Sequence, residues 1–368
     1  MAGKVGLGRG GAALLALLHA VAATAAADEV EAKEPTVRVL LFSTGGSVRL
    51  DTAEGPVTLA PSGRGLAVDG RAVGQAWRVP TGRDAGPLRV DGLRVQGGLE
   101  ARRVDGGLQM INRVGLEAYV AGTLGREVYP GWHPEMLKAQ AVVTRTYALH
   151  QMARKAESPF DLRAGTDSQV YGGLDAETPS VRRAVRATRG EFLTYRREPI
   201  LAVFHSASGG RTAAADEVWG EPIPYLVSLP VENEEDSPDT YWRVSVSRTT
   251  LGRALAPAGI QVGSIQEVEV AERSASGRAR RVRIRGTEGS RALEARALRT
   301  ALGLAVIRST MFEIRSSQDD IIFVGSGHGH GVGMSQWGAQ AMAQAGAGYR
   351  DILESFYPGT SVNQGAYR

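Results

Sequence analysis

Two histidines and a hydroxyl alternate with glycine near the carboxyl-terminal end of the chain. Five glycines at every second position, from Gly325 to Gly333, enclose Ser326, His328 and His330. In an extended chain this spacing places the imidazoles on one face and leaves bare backbone on the other. Glycine in a strand costs roughly 0.5 to 1 kcal/mol relative to alanine, so the pattern favours a site that a ligand or a neighbouring strand approaches closely over a flexible linker.

A third imidazole, His205, lies in a polar stretch that follows the strand-like residues 200–203. Three imidazoles are the number of protein ligands that a catalytic zinc needs, which keeps a zinc-dependent amidase among the alternatives. Imidazoles serve equally well as hydrogen-bond partners of sugar hydroxyls, and we expect neither a metal nor another cofactor. A Ser-His-Asp triad built on Ser206 or Ser335 is less favoured, because the chain has no G-x-S-x-G motif.

One carboxyl falls on the apolar side of a predicted helix. An apolar stripe at helical spacing runs from Leu116 to Leu124, and Glu127 returns to within about 20° of Leu116. Burying a carboxylate without a partner is costly, so this group should keep its proton near neutral pH, as a general acid does. Two alternatives stay open at this point: an ion pair with Arg126 or Arg145, or a frayed helix end that leaves the glutamate in solvent.

The hydrophobic pattern predicts the elements that position these groups. Short apolar alternations separated by turn residues over 36–113 indicate a β-rich region of hairpins, and two helices follow, the second opened by His133 and Pro134. Strand signals return with a hairpin across 274–277 and a helical stretch near 290–303, which we interpret as a smaller inserted lobe at about 240–320. Ser335 should cap a late helix. The predicted fold class is α+β, with a β-rich N-terminal region and a mixed helical and strand core.

Composition and the first residues indicate an exported protein. The chain has 368 residues, of which 43% are hydrophobic, and no cysteine, which excludes disulfides. Basic residues, an apolar run over 12–23 and small residues up to Ala27 are typical of a signal peptide, here residues 1–27. No later segment reaches the ~20 apolar residues of a membrane span. The formal charge of +4 suits an anionic polymer of the cell envelope, whereas nucleic acid is not expected as a partner of an exported protein.

An acidic run over 232–236 precedes the predicted lobe. The simplest interpretation of such a run is a solvated loop.

Four collinear segments resemble the sporulation stage II protein D family, also called SpoIID/LytB. They read LEAYVAGTLGREVYPGWHPEMLKAQAVVTRTYAL, TDSQVYGG, FHSASGGRT followed by VWG and PYL, and GHGHGVGMSQWGAQAMA, between about Leu116 and Tyr357. The last segment is the most specific, whereas the N-terminal region and the lobe match only loosely. Together with the predicted signal peptide (1–27) and the β-rich region (28–113), the resemblance gives a catalytic domain over 114–368 that includes the lobe at about 240–320.

The resemblance implies a peptidoglycan lytic transglycosylase, which cleaves between N-acetylmuramic acid and N-acetylglucosamine and leaves 1,6-anhydro ends. Strands that lack stem peptides are the implied substrate. The family's catalytic glutamate falls on Glu127, which the helical pattern also selects. Candidate substrate-binding residues lie in the matching segments: Arg145, Tyr147, Gln169, Tyr171, His205, Ser206, Ser208, Arg211, Thr212, His328, His330, Met334, Ser335, Gln336 and Trp337.

Two features limit what the resemblance implies. Some family members bind zinc partly through cysteines near the Gln-Val-Tyr loop, and this chain has no cysteine, so that metal site is not carried over. The family also includes proteins that modulate a cell-wall amidase. A non-catalytic protein that binds glycan or enhances an amidase therefore stays as the alternative function, with the amidase as a candidate partner.

Overall fold

The computed structural model describes Met1 and residues 34–79 and 86–365. The predicted signal peptide lies outside these residues, apart from Met1. The fold is α+β, as the sequence predicts. No helix in the described part of the chain is long and apolar enough to cross a membrane.

The N-terminal region is built from hairpins, which confirms the prediction for residues 36–113. The ten strands of this region that the structure describes are β1 (Thr36–Thr44), β2 (Val48–Thr52), β3 (Gly55–Ser62), β4 (Gly65–Val68), β5 (Arg71–Gly74), β6 (Ala76–Val79), β7 (Leu88–Val90), β8 (Leu93–Val95), β9 (Gly98–Val104) and β10 (Gly107–Gly115). A six-stranded sheet has the order β5-β4-β3-β2-β7-β8, and a five-stranded sheet joins β1, β6, β9, β10 and the later strand β11 (Leu162–Arg163).

The middle of the chain is mostly helical and contributes several residues to the candidate site. Its elements are α1 (Leu116–Glu127), α2 (Pro134–Arg154), β11 (Leu162–Arg163), a 3-10 turn (Gly173–Ala176), α3 (Pro179–Ala187), β12 (Glu191–Tyr195), β13 (Glu198–Pro199), β14 (Phe204–His205) and α4 (Ala215–Trp219).

Local chemistry explains where α2 begins. The ring Nδ1 of His133 accepts a hydrogen bond from the backbone N–H of Glu135 at 3.3 Å, and Pro134 occupies the first turn, where its missing N–H is not needed. The predicted start of the second helix is confirmed.

The residues from 242 onward form the lobe and then return to the core. Their elements are β15 (Trp242–Ser247), α5 (Arg248–Leu255), a 3-10 turn (Ala256–Ala258), β16 (Ile265–Arg273), β17 (Ala279–Gly286), β18 (Gly289–Glu294), α6 (Ala295–Leu302), β19 (Phe312–Ser316), β20 (Asp320–Gly325), β21 (Met334–Ser335), α7 (Gln336–Gln344), α8 (Tyr349–Phe356) and β22 (Ser361–Gln364).

The lobe has a hydrophobic core of its own, drawn from both of its three-stranded sheets. The predicted hairpin is confirmed, because Val268 pairs with Ile284 and Val270 with Val282. The predicted helix near 290–303 begins only at Ala295. Residues 289–294 are a strand instead, because a tight turn folds them back onto β17 and the pairing overrides their helical propensity.

A buried ion pair holds α1 against α2. Two guanidinium nitrogens of Arg145 donate to the carboxylate of Glu117 at 2.9 and 2.7 Å, and a third donates to the backbone oxygen of Glu191 at 2.9 Å. Arg145 is fully buried, so its position is fixed by the core.

Replacing Arg145 with methionine should destabilise the fold by about 3 to 5 kcal/mol, because Glu117 would lose its guanidinium while remaining buried. The matched control is Arg186→Met on the exposed side of α3, with an expected change of about 0.5 kcal/mol or less. Urea denaturation of both variants measures the difference. Equal stabilities would show that the pair contributes nothing.

Candidate functional site

A cleft of about 430 Å³ opens beside the carboxyl end of α1. Residues of α1, α2 and α7, the 203–206 segment, the Gly/His segment (325–333) and the loop before Tyr171 all contribute to its lining. The lining residues are Glu127, Tyr147, residues 166–170 and 203–206, Trp219, residues 328–330 and Gln336.

Glu127 is the last residue of α1, and its carboxyl group faces this cleft. Its Oε1 accepts a hydrogen bond from the backbone N–H of Val170 at 2.6 Å. Burial raises the pKa of Glu127 to about 7, against the smaller opposing effect of that hydrogen bond. No cationic side chain in the described parts of the chain forms an ion pair with it, because Arg145 pairs with Glu117 and Arg126 is exposed. Neither alternative left open by the sequence therefore holds.

Gln336, the first residue of α7, fixes the end of α1. Its Nε2 donates to the backbone oxygen of Glu127 at 3.1 Å and to Oε1 of Gln140 at 3.3 Å. A buried amide that joins α7, α1 and α2 holds the catalytic candidate in one position.

A buried carboxylate, Glu234, joins the loop after β14 to the residue that precedes α7. It accepts hydrogen bonds from the backbone N–H of Ser208 at 2.8 Å, from the hydroxyl of Ser208 at 2.5 Å and from the N–H of Gly210 at 3.1 Å. The hydroxyl of Ser335 donates to the same carboxylate. Glu234 is 7% exposed, so the prediction of a solvated loop is wrong at this residue. Nothing local in the acidic run distinguishes it from its neighbours.

The Gly/His segment is not the extended strand that the alternation predicts. Gly327, Gly329, Gly331 and Gly333 all have positive φ angles, between 73° and 114°. Only glycine adopts this conformation without strain, so the residues serve a repeatedly kinked backbone rather than a flat, bare face. Single bridges tie it to the loop after β14, where Ala207 pairs with His328. The close approach of a neighbouring segment, which the sequence predicts, is confirmed.

Each of the three histidines has a hydrogen-bond partner within the protein. Nδ1 of His205 faces the backbone oxygen of Val332 at 3.1 Å, and Nδ1 of His330 accepts from the N–H of Val332 at 3.0 Å. Nδ1 of His328 contacts Asp239 at 2.9 Å. Within residues 34–79 and 86–365 no group of three histidine or acidic side chains converges as a metal site.

Burial keeps two of these imidazoles uncharged at neutral pH. It lowers the pKa of His205 well below its ordinary value and that of His330 to about 4. Because Nδ1 of His205 faces a carbonyl, it carries the ring proton, and Nε2 presents a lone pair. Nε2 of His205 and Nε2 of Gln169 are buried and have no hydrogen-bond partner among the described residues. One acceptor and one donor of two cleft residues are thus buried without a hydrogen-bond partner among the described residues.

Comparison with known proteins gives the family. A family model described as Stage II sporulation protein matches residues 104–195, and one described as a domain of unknown function matches residues 216–333. Stage II sporulation protein D of Bacillus subtilis is 30% identical over 273 residues, which cover 70% of this chain and 76% of that protein. This chain belongs to the stage II sporulation protein D family. Membership supports a role connected with the cell wall.

Two further relatives are informative. An uncharacterized protein of Brachyspira hyodysenteriae is 34% identical over 276 residues, which cover 74% of this chain and 73% of that protein. A Bacillus subtilis protein named amidase enhancer is 27% identical over 289 residues, which cover 66% of this chain but only 40% of that protein.

About half of the site residues predicted from the sequence line the cleft. They are Glu127, Tyr147, Gln169, His205, Ser206, His328, His330 and Gln336. Trp219 also lines the cleft, at the end of α4, and is not among the predicted site residues. Its position in the VWG part of the family resemblance is the signal that points to it.

The other predicted binding residues do not line the cleft. Arg145 is in the core ion pair, and the Tyr171 hydroxyl donates to Asn112 at 2.8 Å. Ser208 and Ser335 bind Glu234, and Ser335 also caps α7, which confirms its predicted local role. Four more have other surroundings: Thr212 bonds to the 227–229 segment, Met334 is buried, Arg211 is exposed near Ser228, and Trp337 packs among aromatic rings.

The pH dependence of stability should reveal the buried carboxyl. The pKa of Glu127 in the folded protein is about 7, above its ordinary value of 4.5, so the stability it contributes is full below pH 4.5 and is lost as pH rises through 7. The side chain in Glu127→Gln cannot ionise. Between pH 5 and pH 8 the free energy of unfolding of this variant, relative to that of wild type, should therefore rise by on the order of 1 to 3 kcal/mol. Denaturation at several pH values measures this gain, with Glu157→Gln at an exposed position as the baseline. A gain independent of pH would contradict the assignment.

A pair of alanine substitutions tests the packing of the Gly/His segment. Gly329 and Gly277 both have positive φ, at 114° and 87°, so each variant carries backbone strain. A Cβ at 329 would lie 2.7 Å from Cβ of His205, whereas at 277 the nearest atom is Sδ of Met311 at 3.8 Å. Gly329→Ala should therefore cost about 1 to 3 kcal/mol more than Gly277→Ala in thermal or urea unfolding. Equal costs would mean that the segment is loosely packed.

Proposed function

We propose that this protein is a lytic transglycosylase that cleaves peptidoglycan glycan strands, with Glu127 as its acid and base. The observation that carries the proposal is the Glu127 carboxyl, which lies in a cleft, has no cationic partner among the described residues and has a pKa of about 7. Such a group is present in both protonation states near neutral pH, which a residue that first donates and then accepts a proton requires. Family membership supports the same class of substrate.

The reaction uses one carboxyl twice. Protonated Glu127 gives its proton to the oxygen between N-acetylmuramic acid and N-acetylglucosamine, and the bond from that oxygen to C1 of the muramic sugar breaks. The C6 hydroxyl of the same sugar then attacks C1 and gives its proton to the Glu127 carboxylate. The 1,6-anhydro ring closes, the glucosamine leaves with a free hydroxyl, and Glu127 regains its starting proton.

No second carboxylate is required, because the nucleophile belongs to the substrate. Hydrolysis by inversion would need a second carboxylate to activate a water molecule. The other carboxyl in the cleft lining, Asp167, has a 61% exposed side chain and lies 3.4 Å from the guanidinium of Arg163. Its exposure and its basic partner suit a surface position better than that role.

His205, His330 and Gln169 supply uncharged polar groups around the cleft. His205 and His330 are neutral at the working pH, and Gln169 uses its Oε1 to accept from the Tyr119 hydroxyl at 2.9 Å, while its Nε2 has no partner among the described residues. Sugar hydroxyl and acetamido groups match this set of donors and acceptors. The substrate lies outside the cytoplasm, so the proposal includes export through the predicted signal peptide.

Glu127→Gln should lower the cleavage rate at least ~10²-fold while glycan binding persists, because the amide keeps the shape and cannot donate a proton. Asp167→Asn is the matched control and should retain most of the activity. Mass analysis of products from purified, peptide-free glycan strands measures both the rate and the chemistry. Wild type should release anhydro ends, and reducing ends in their place would contradict the mechanism.

The amidase enhancer relative favours one second candidate, a non-catalytic glycan-binding protein that assists an amidase. The same assay separates the two functions. Wild-type protein that binds strands, releases no product and increases the rate of an added cell-wall amidase would support this candidate over the transglycosylase.

A further inference from the structure

Three aromatic side chains form a cluster just beyond Glu127. The ring centroid of Tyr129 lies 5.4 Å from that of Trp132 and 6.3 Å from that of Trp337. The two tryptophans meet edge to face at 4.8 Å. Tyr129 is 61% exposed, so the tryptophans support a ring whose outer surface is in water.

The loop that carries Tyr129 is held rigidly. The backbone N–H of Trp132 donates to the oxygen of Tyr129 at 3.0 Å, and the hydroxyl of Ser180 donates to the oxygen of Pro130 at 2.7 Å. The N–H of His133 donates to Oε1 of Gln340 at 2.9 Å. Large apolar rings that are exposed and fixed lose little entropy when they bind, which is the property of an anchor in a binding surface.

Two segments of the chain connect the aromatic cluster to residues that line the cleft. Val128 is extended, with φ of −135° and ψ of 160°, so the Cα atoms of Glu127 and Tyr129 are at most ~7 Å apart. In α7, Trp337 follows the cleft residue Gln336. The backbone N–H of Trp337 donates to the backbone oxygen of Ser206 at 3.0 Å. The cluster therefore borders the cleft where α1 ends and α7 begins.

We propose that Tyr129, supported by Trp132 and Trp337, is a stacking subsite for a sugar ring of the glycan strand beside the bond that Glu127 cleaves. The proposal rests on the proposed function. One face of a pyranose ring presents C–H groups that pack on an aromatic ring, while the hydroxyls around its rim stay hydrated. An exposed tyrosine backed by apolar rings fits this ligand.

The subsite predicts that the affinity for a glycan strand depends on Tyr129. A strand bound across Glu127 places a sugar ring on Tyr129, so truncating Tyr129 should weaken strand binding.

The test measures the binding of peptide-free glycan strands by isothermal titration, in the Glu127→Gln background so that no cleavage occurs. Adding Tyr129→Ser should raise Kd about 10-fold, the loss expected for one well-packed aromatic contact. The matched control is Tyr241→Ser, since Tyr241 is 65% exposed and does not line the cleft. Tyr129→Phe should bind like the parent, because the ring and not the hydroxyl makes the contact. Melting temperatures recorded for each variant separate affinity from folding.

The outcomes separate the two proposals. If the Glu127→Gln parent binds strands and Tyr129→Ser binds equally well, the subsite is overturned and the proposed function stands. A Tyr129→Phe variant as weak as Tyr129→Ser would also overturn stacking. If the parent and the wild-type protein bind no strand of any length, the proposed function fails and the subsite fails with it.

Discussion

The geometry of the cleft depends on the hydrogen bonds that the buried carboxylate of Glu234 accepts. This carboxylate holds the Ser208–Gly210 turn after β14 and the hydroxyl of Ser335 at the start of α7. Removing it would leave several buried donors without an acceptor, which costs more than the bonds themselves contribute. Because α7 begins at the next residue, this contact also determines where Gln336 meets the backbone oxygen of Glu127. The catalytic candidate is thus positioned from a loop more than 100 residues further along the chain.

Glu127 differs from two other buried carboxylates in its lack of a cationic partner among the described residues, and this difference accounts for its raised pKa. Glu117 is paired with Arg145, and Asp239 lies between Arg308 and His328. Glu127 has one backbone hydrogen bond and no such cation among the residues described. Desolvation therefore outweighs the stabilisation of its charged form, and its pKa rises. Burial keeps His205 and His330 neutral for the same reason, so these two imidazoles place no positive charge beside the acid.

Local signals in the sequence predicted the elements that carry the acid. The apolar stripe of α1, the Pro134 start of α2 and the Ser335 cap depend on neighbours within one or two helical turns, and the structure has all three. Long-range contacts were not predictable in this way. Glu234 and Arg145 are distinguished from similar residues only by partners distant in sequence. The spacing of the glycines predicts a strand, because spacing carries no information about the sign of φ.

The central claim is that Glu127 exchanges its proton near neutral pH, and its carboxyl carbon reports this directly. A protein labelled with ¹³C at the glutamate carboxyl can be titrated by NMR, and the Glu127 signal assigned by its disappearance in Glu127→Gln. The structure predicts a midpoint at about 7 for this signal. A midpoint near the ordinary value of 4.5 would mean that the carboxyl is ionised and solvated at neutral pH, and the account of Glu127 as a general acid would be wrong.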